Sequence, residues 1–105
     1  MATESDLVRV CSIGEAPAEG RVGEYSVGKL TFCVAKLNGK ISVLDNVCPH
    51  HGGPLGEGTI EDGKVVCPWH VYAFELTTGR CRELPCEQVR VYEVTLTGDD
   101  VLVKV

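Results

Sequence analysis

The chain has 105 residues, 44% of them hydrophobic, and 15 acidic against 10 basic side chains give a net charge of −5. That length suits one domain with a modest core, and the apolar fraction excludes a disordered chain. The acidic balance disfavours nucleic acid, whose backbone is bound by clustered Lys and Arg, and is compatible with docking on a basic protein surface.

Taken in chain order, residues 7–13 read as a first strand and the Gly/Pro/Ala-rich stretch 14–20 as a loop. Strands follow at 22–27 and 30–37. Asn38-Gly39 is the strongest hairpin signal, because both residues tolerate positive φ, and it leads into a strand at 40–45. A loop from about residue 47 to 58 carries four glycines and two prolines. Residues 59–60 and 64–66 make a short hairpin around Glu61-Asp62-Gly63. A second loop spans 67–73, followed by a strand at 74–76 and a turn at Thr77-Thr78-Gly79. Residues 89–97 alternate through Val89, Val91, Val94 and Leu96 with one slip, and 101–105 closes a final hairpin across Gly98-Asp99-Asp100.

Many short strands at regular turn spacing, with no strong helix, predict an all-β antiparallel sandwich or barrel. No repeat or linker divides residues 1–105, so a single domain is expected. No apolar run approaches the roughly 18 residues of a membrane span. The start, Met1-Ala2-Thr3-Glu4-Ser5-Asp6, is too polar and acidic for a secretory signal, so a cytoplasmic protein without a membrane partner is expected.

The chemistry concentrates in two clips, Cys48-Pro49-His50 and Cys67-Pro68-Trp69-His70. Two thiolates and two imidazoles can hold a metal centre. Structural zinc sites usually pair like with like, as C-x2–4-C and H-x3–5-H. Here each clip mixes Cys with His, and the first has one spacer residue, which is awkward for chelating one small tetrahedral ion. The pattern suits a [2Fe–2S] centre in which two histidines replace two cysteines on one of the irons. A zinc site, or core cysteines and surface histidines without any metal, stand as the alternatives. Of the other cysteines, Cys11 and Cys33 lie in apolar strand patterns and read as small buried hydrophobes. Cys81 and Cys86 flank a short loop and can pair geometrically, against the trend in a reducing cytosol.

The runs Cys48-Pro49-His50-His51-Gly52-Gly53-Pro54-Leu55 and Cys67-Pro68-Trp69-His70 resemble the cluster-binding loops of Rieske proteins. More narrowly, the whole chain is similar to the small Rieske ferredoxins that serve bacterial ring-hydroxylating dioxygenases. The resemblance implies a cluster-binding subdomain at about 45–74 inserted into the β framework. It implies that Cys48 and Cys67 bind one iron while His50 and His70 bind the outer one. It also implies single-electron transfer from a flavin- or NAD(P)H-dependent reductase to a terminal oxygenase, by a monomer with no catalytic residues of its own. The small subunit of NADH-dependent nitrite reductase is the alternative within the same resemblance.

Around the ligands, Gly52, Gly53 and Gly56 are expected to let the backbone turn and approach the sulfurs closely. Pro54 and Gly58 read equally as ordinary turn residues. Trp69 is expected to shield the cluster and His51 to lie at the surface. Leu84-Pro85 resembles a proline-containing third loop over the cluster. High-potential relatives carry an extra cysteine in each loop, joined as a disulfide, and a serine and a tyrosine that bond cluster sulfurs. The matching places here hold Gly53, Trp69, Tyr72 and Phe74. A potential low in the Rieske range, near roughly −150 mV, is therefore expected. Val71 stands where glycine usually follows the second histidine, so the second loop is expected to differ in shape.

Overall fold

A computed structural model describes residues 7–47, 53–68, 72–83 and 88–104. Nine strands lie among them: β1 Leu7–Ser12, β2 Arg21–Val27, β3 Leu30–Leu37, β4 Lys40–Asp45, β5 Thr59–Glu61, β6 Lys64–Val66, β7 Ala73–Glu75, β8 Val91–Thr97 and β9 Asp100–Lys104. Six form one antiparallel sheet in the order β1-β9-β8-β4-β3-β2, and the other three form a second sheet in the order β5-β6-β7. The two ends of the six-strand order are drawn together by the Tyr25 hydroxyl on β2, which donates to the Glu15 carbonyl just beyond β1 at 2.5 Å. The sheet is thereby curled, as the expected sandwich or barrel requires.

Turn chemistry sets the registers. Asn38 and Gly39 take φ of 55° and 76°, and Asp62 and Gly63 take 51° and 74°. Two consecutive positive-φ residues give the turn whose twist matches a tight hairpin. The β3–β4 and β5–β6 hairpins follow directly.

Two apolar cores result. One lies in the curl of the large sheet, around Phe32, Val34, Val43, Val101 and Val103. The other holds Cys33, Leu44, Leu55, Val65, Cys67 and Phe74, and joins the two sheets. Phe32, Cys33, Val34 and Ala35 are all 0% exposed, because alternate residues of β3 face the two cores. A strand buried on both faces reads as a continuous apolar run rather than an alternation.

Several boundaries differ from the sequence reading by one or two residues. The first strand stops at Ser12, because Ser12 caps a single 3-10 turn, Ile13–Glu15. Its hydroxyl accepts the Glu15 N–H at 3.2 Å, and the Glu15 carboxylate accepts the Ser12 N–H at 2.9 Å. This capping box was legible as Ser-x-x-Glu. The strand expected at 74–76 runs Ala73–Glu75. The strand expected from residue 89 begins at Val91, and Leu96 is 55% exposed rather than inward. Tyr92 sets that register: its hydroxyl donates to Asp45 at 2.8 Å and its ring meets Phe32 edge-on at 5.1 Å. Val89, upstream of the strand, is buried in the second core instead.

Candidate metal centre

The three-stranded sheet lies between β4 and β8 in sequence and carries the second clip at its hairpin end. Cys67 follows β6 directly and is 0% exposed. Its N–H donates to the Tyr72 carbonyl at 2.8 Å, and Val66 pairs with Ala73 on β7. Those contacts close the hairpin around the second clip. The first loop is closed by an antiparallel bridge between Val47 and Pro54. Beside that bridge, on the side away from the loop, Leu55 donates to the Asn46 carbonyl, and Gly56 to the Asn46 side-chain oxygen, each at 2.7 Å.

The feet of the two loops are packed together. Leu55 and Cys67 belong to one buried cluster with Val65 and Phe74. A Cβ on Gly58 would come within 1.9 Å of the Val66 carbonyl oxygen, the residue before Cys67. Gly58 is thus more than an ordinary turn residue: there is no room for a side chain between the loop and β6. Gly56 also corrects an expectation. Its φ is not positive, and it serves close packing against Asn46 and β2 rather than a sharp turn.

Of the four expected ligands, Cys67 is placed as described; Cys48, His50 and His70 lie outside the described residues. So do His51, Gly52, Trp69, Val71, Leu84, Pro85 and Cys86, with the readings made of them. Among the described residues no three His, Cys, Asp or Glu side chains gather as a metal site. Cys11 and Cys33 are buried, in no disulfide, and inert: burial pushes the Cys33 thiol up to about 12, with Glu24 adding to it, and raises Cys11 as well. Cys81 is also buried, with its sulfur 3.8 Å from a Glu83 oxygen.

Cys67 fits an iron–sulfur ligand on chemical grounds. The thiolate is the form that binds metal. A thiolate among Leu55, Val65 and Phe74 is a buried charge, which is costly unless a metal compensates it. Phe74 is 0% exposed and carries no hydroxyl, and Tyr72 packs against the same core.

Two supporting residues were not singled out from sequence. Asn46 is one, and its only signal was a polar residue closing an apolar strand. Glu83 is the other. Its carboxylate accepts the Ala73 N–H at 2.9 Å and pairs with Arg82. Burial pushes that carboxyl up, but the Ala73 N–H and the Arg82 guanidinium outweigh it and hold the group below its ordinary value. Glu83 thereby ties the segment after Cys81 to the β7 end of the second clip.

Comparison with known proteins agrees with this geometry. Residues 6–93 match the model of the Rieske [2Fe-2S] domain. The ferredoxin component of biphenyl 2,3-dioxygenase from Rhodococcus jostii (strain RHA1) is 35% identical over 92% of this chain and 91% of its own length. Human apoptosis-inducing factor 3 is 30% identical over 90% of this chain, which spans only 16% of that longer protein. The solved ferredoxin of carbazole 1,9a-dioxygenase from Nocardioides aromaticivorans IC177 superposes with a TM-score of 0.83 at 28% identity, covering 93% of this chain and 96% of its own. The chain belongs to the Rieske [2Fe-2S] domain family. The cofactor of that family is one Rieske-type [2Fe–2S] cluster.

Proposed function

We propose that this chain is an electron carrier: it takes single electrons from a flavin- or NAD(P)H-dependent reductase and passes them to a terminal oxygenase of a ring-hydroxylating system. Cys48 and Cys67 would hold one iron, and His50 and His70 the outer one. The bound cluster supplies the one-electron couple. The observation that carries this reading is the joining of the two loop feet. Leu55, beside the bridge that closes the first loop, and Cys67, opening the second clip, share one buried core. End-to-end similarity to a dioxygenase ferredoxin component supports the free-carrier form.

The chain's own residues bind and shield rather than catalyse. Leu55, Val65 and Phe74 keep water from the Cys67 sulfur, and the absence of a hydroxyl on Phe74 favours a low potential. Residues 45–74 act as the cluster-binding subdomain of a single 1–105 domain. The carrier works as a cytoplasmic monomer; no helix among the described residues is long and apolar enough to cross a membrane.

Anaerobic voltammetry, followed by turnover with candidate reductases and oxygenases, tests the reading. A potential low in the Rieske range and electron delivery to an oxygenase are expected. A potential well above zero, or purified protein that holds zinc instead of iron, overturns it. Size exclusion of the native protein separates a free monomer from a bound subunit such as that of a nitrite reductase.

A further inference from the structure

Of the buried side chains among the described residues, Asn46 carries the one amide or charge, and it is 5% exposed. A buried amide is costly unless its donors and acceptors are met. Both ends of Asn46 are used, and each reaches a different element. The side-chain oxygen accepts the Gly56 N–H at 2.7 Å, while the amide nitrogen donates to the Glu24 carboxylate on β2. The main-chain carbonyl accepts the Leu55 N–H at 2.7 Å. One residue therefore fastens the end of β4, the returning limb of the first loop and β2. Gly56 completes the knot: a Cβ there would lie 2.7 Å from the Asn46 oxygen and 2.8 Å from the Glu24 Cα.

We infer that Asn46, held by Glu24, is a positioning residue that sets the foot of the first cluster loop, on which the proposed ligands Cys48 and His50 depend. The inference rests on the ligand assignment proposed above. An apolar side chain of similar volume would fill the space, but it would not fix direction; hydrogen bonds do, because they weaken steeply when misaligned. Asn46 stands two residues before Cys48, so little chain lies between the fastening and the ligand. Glu24 is an exposed residue of β2, so solvent screens its charge. Its part is to hold the Asn46 amide.

The test uses cluster-loaded protein. Asn46→Leu removes both side-chain bonds at similar volume. Glu24→Leu removes only the outer support, and Glu24→Gln keeps an acceptor while losing the charge. Val103→Ala, in the core of the large sheet, is the control for lost stability alone. Asn46→Leu is expected to shift the midpoint potential, broaden the EPR spectrum of the reduced protein, and speed amide exchange at Gly56 by about tenfold, as expected for losing one net hydrogen bond. Glu24→Leu should do the same more weakly, and Glu24→Gln should leave the spectrum unchanged. Val103→Ala should lower the melting temperature without moving the potential. The inference is overturned if Asn46→Leu melts earlier yet keeps the parent potential and spectrum. Should Asn46→Leu hold no iron, Glu24→Leu decides by the same readouts, and an unmoved potential there overturns the inference. Failure of the ligand assignment would show separately, as a parent protein with no EPR signal on reduction.

Discussion

Gly58→Ala is the sharpest test of how the two cluster loops are joined. Gly58 has φ of −88° and ψ of −154°, extended backbone open to any residue, so the substitution brings no backbone strain. The cost is one of space. The new methyl would lie 1.9 Å from the Val66 carbonyl oxygen, more than 1 Å inside the 3.0 Å that real Cβ atoms respect. The obstacle is backbone within the β5–β6 ladder and cannot swing aside as a side chain would. Overpacking costs about 1–3 kcal/mol, and a clash with a paired strand belongs at the upper end. For a domain of this size, about 3 kcal/mol lowers the melting temperature by on the order of 12 °C or more. Relief must move Val66, and Cys67 follows it in the chain, so iron content per chain should fall too. Thermal melts at fixed scan rate and iron analysis read both effects. Gly14→Ala, with only the Ser12 hydroxyl at 4.0 Å, is the control and should stay within about 0.5 kcal/mol. A Gly58→Ala protein that melts within about 2 °C of the parent and keeps its iron would refute the reasoning.

Leu55→Ala should cost about 2–5 kcal/mol, since Leu55 is 0% exposed at the junction of loop and core, and urea denaturation checks it. A midpoint unchanged from the parent would count against that packing. Cys33 makes a pH prediction. Its thiol, ordinarily at 9.0, is pushed up to about 12, so the neutral form is favoured in the folded state. The stability this represents is whole below pH 9 and is lost as pH rises from about 9 toward 12. Alkylation at pH 8 should accordingly leave Cys33 unmodified in native protein and modify it after denaturation, as peptide mass spectrometry would show; rapid native labelling contradicts the burial. His70→Cys should retain some cluster at a lower potential, because a thiolate adds negative charge where imidazole is neutral. An unchanged potential in a cluster-bearing variant speaks against His70 as a ligand.

Much of the framework was legible because turn chemistry is local. Asn38-Gly39 and Asp62-Gly63 adopt the positive φ values their residue types allow, and the hairpins they join follow. The register of β8 was not legible from periodicity, since valines at 89, 91 and 94 all compete for the core. Tyr92 decides it through contacts with Asp45 and Phe32, residues distant in sequence. The site divides the same way. Residue type and spacing proposed Cys48, His50, Cys67 and His70, and of these Cys67 lies among the described residues. The roles of Asn46, Gly56 and Gly58 were hidden, because each depends on what another element brings against it: Glu24 from β2, or the Val66 carbonyl from β6. Spacing along one chain cannot report such approaches.

The central claim is a [2Fe–2S] cluster ligated by Cys48, Cys67, His50 and His70, and electron–nuclear double resonance on the anaerobically reduced protein tests it most directly. The account predicts two irons and two labile sulfides per chain, a paramagnetic reduced state, and coupling to two histidine nitrogens, one of which is lost in His70→Cys. Zinc in place of iron, or a reduced cluster without nitrogen coupling, would contradict it.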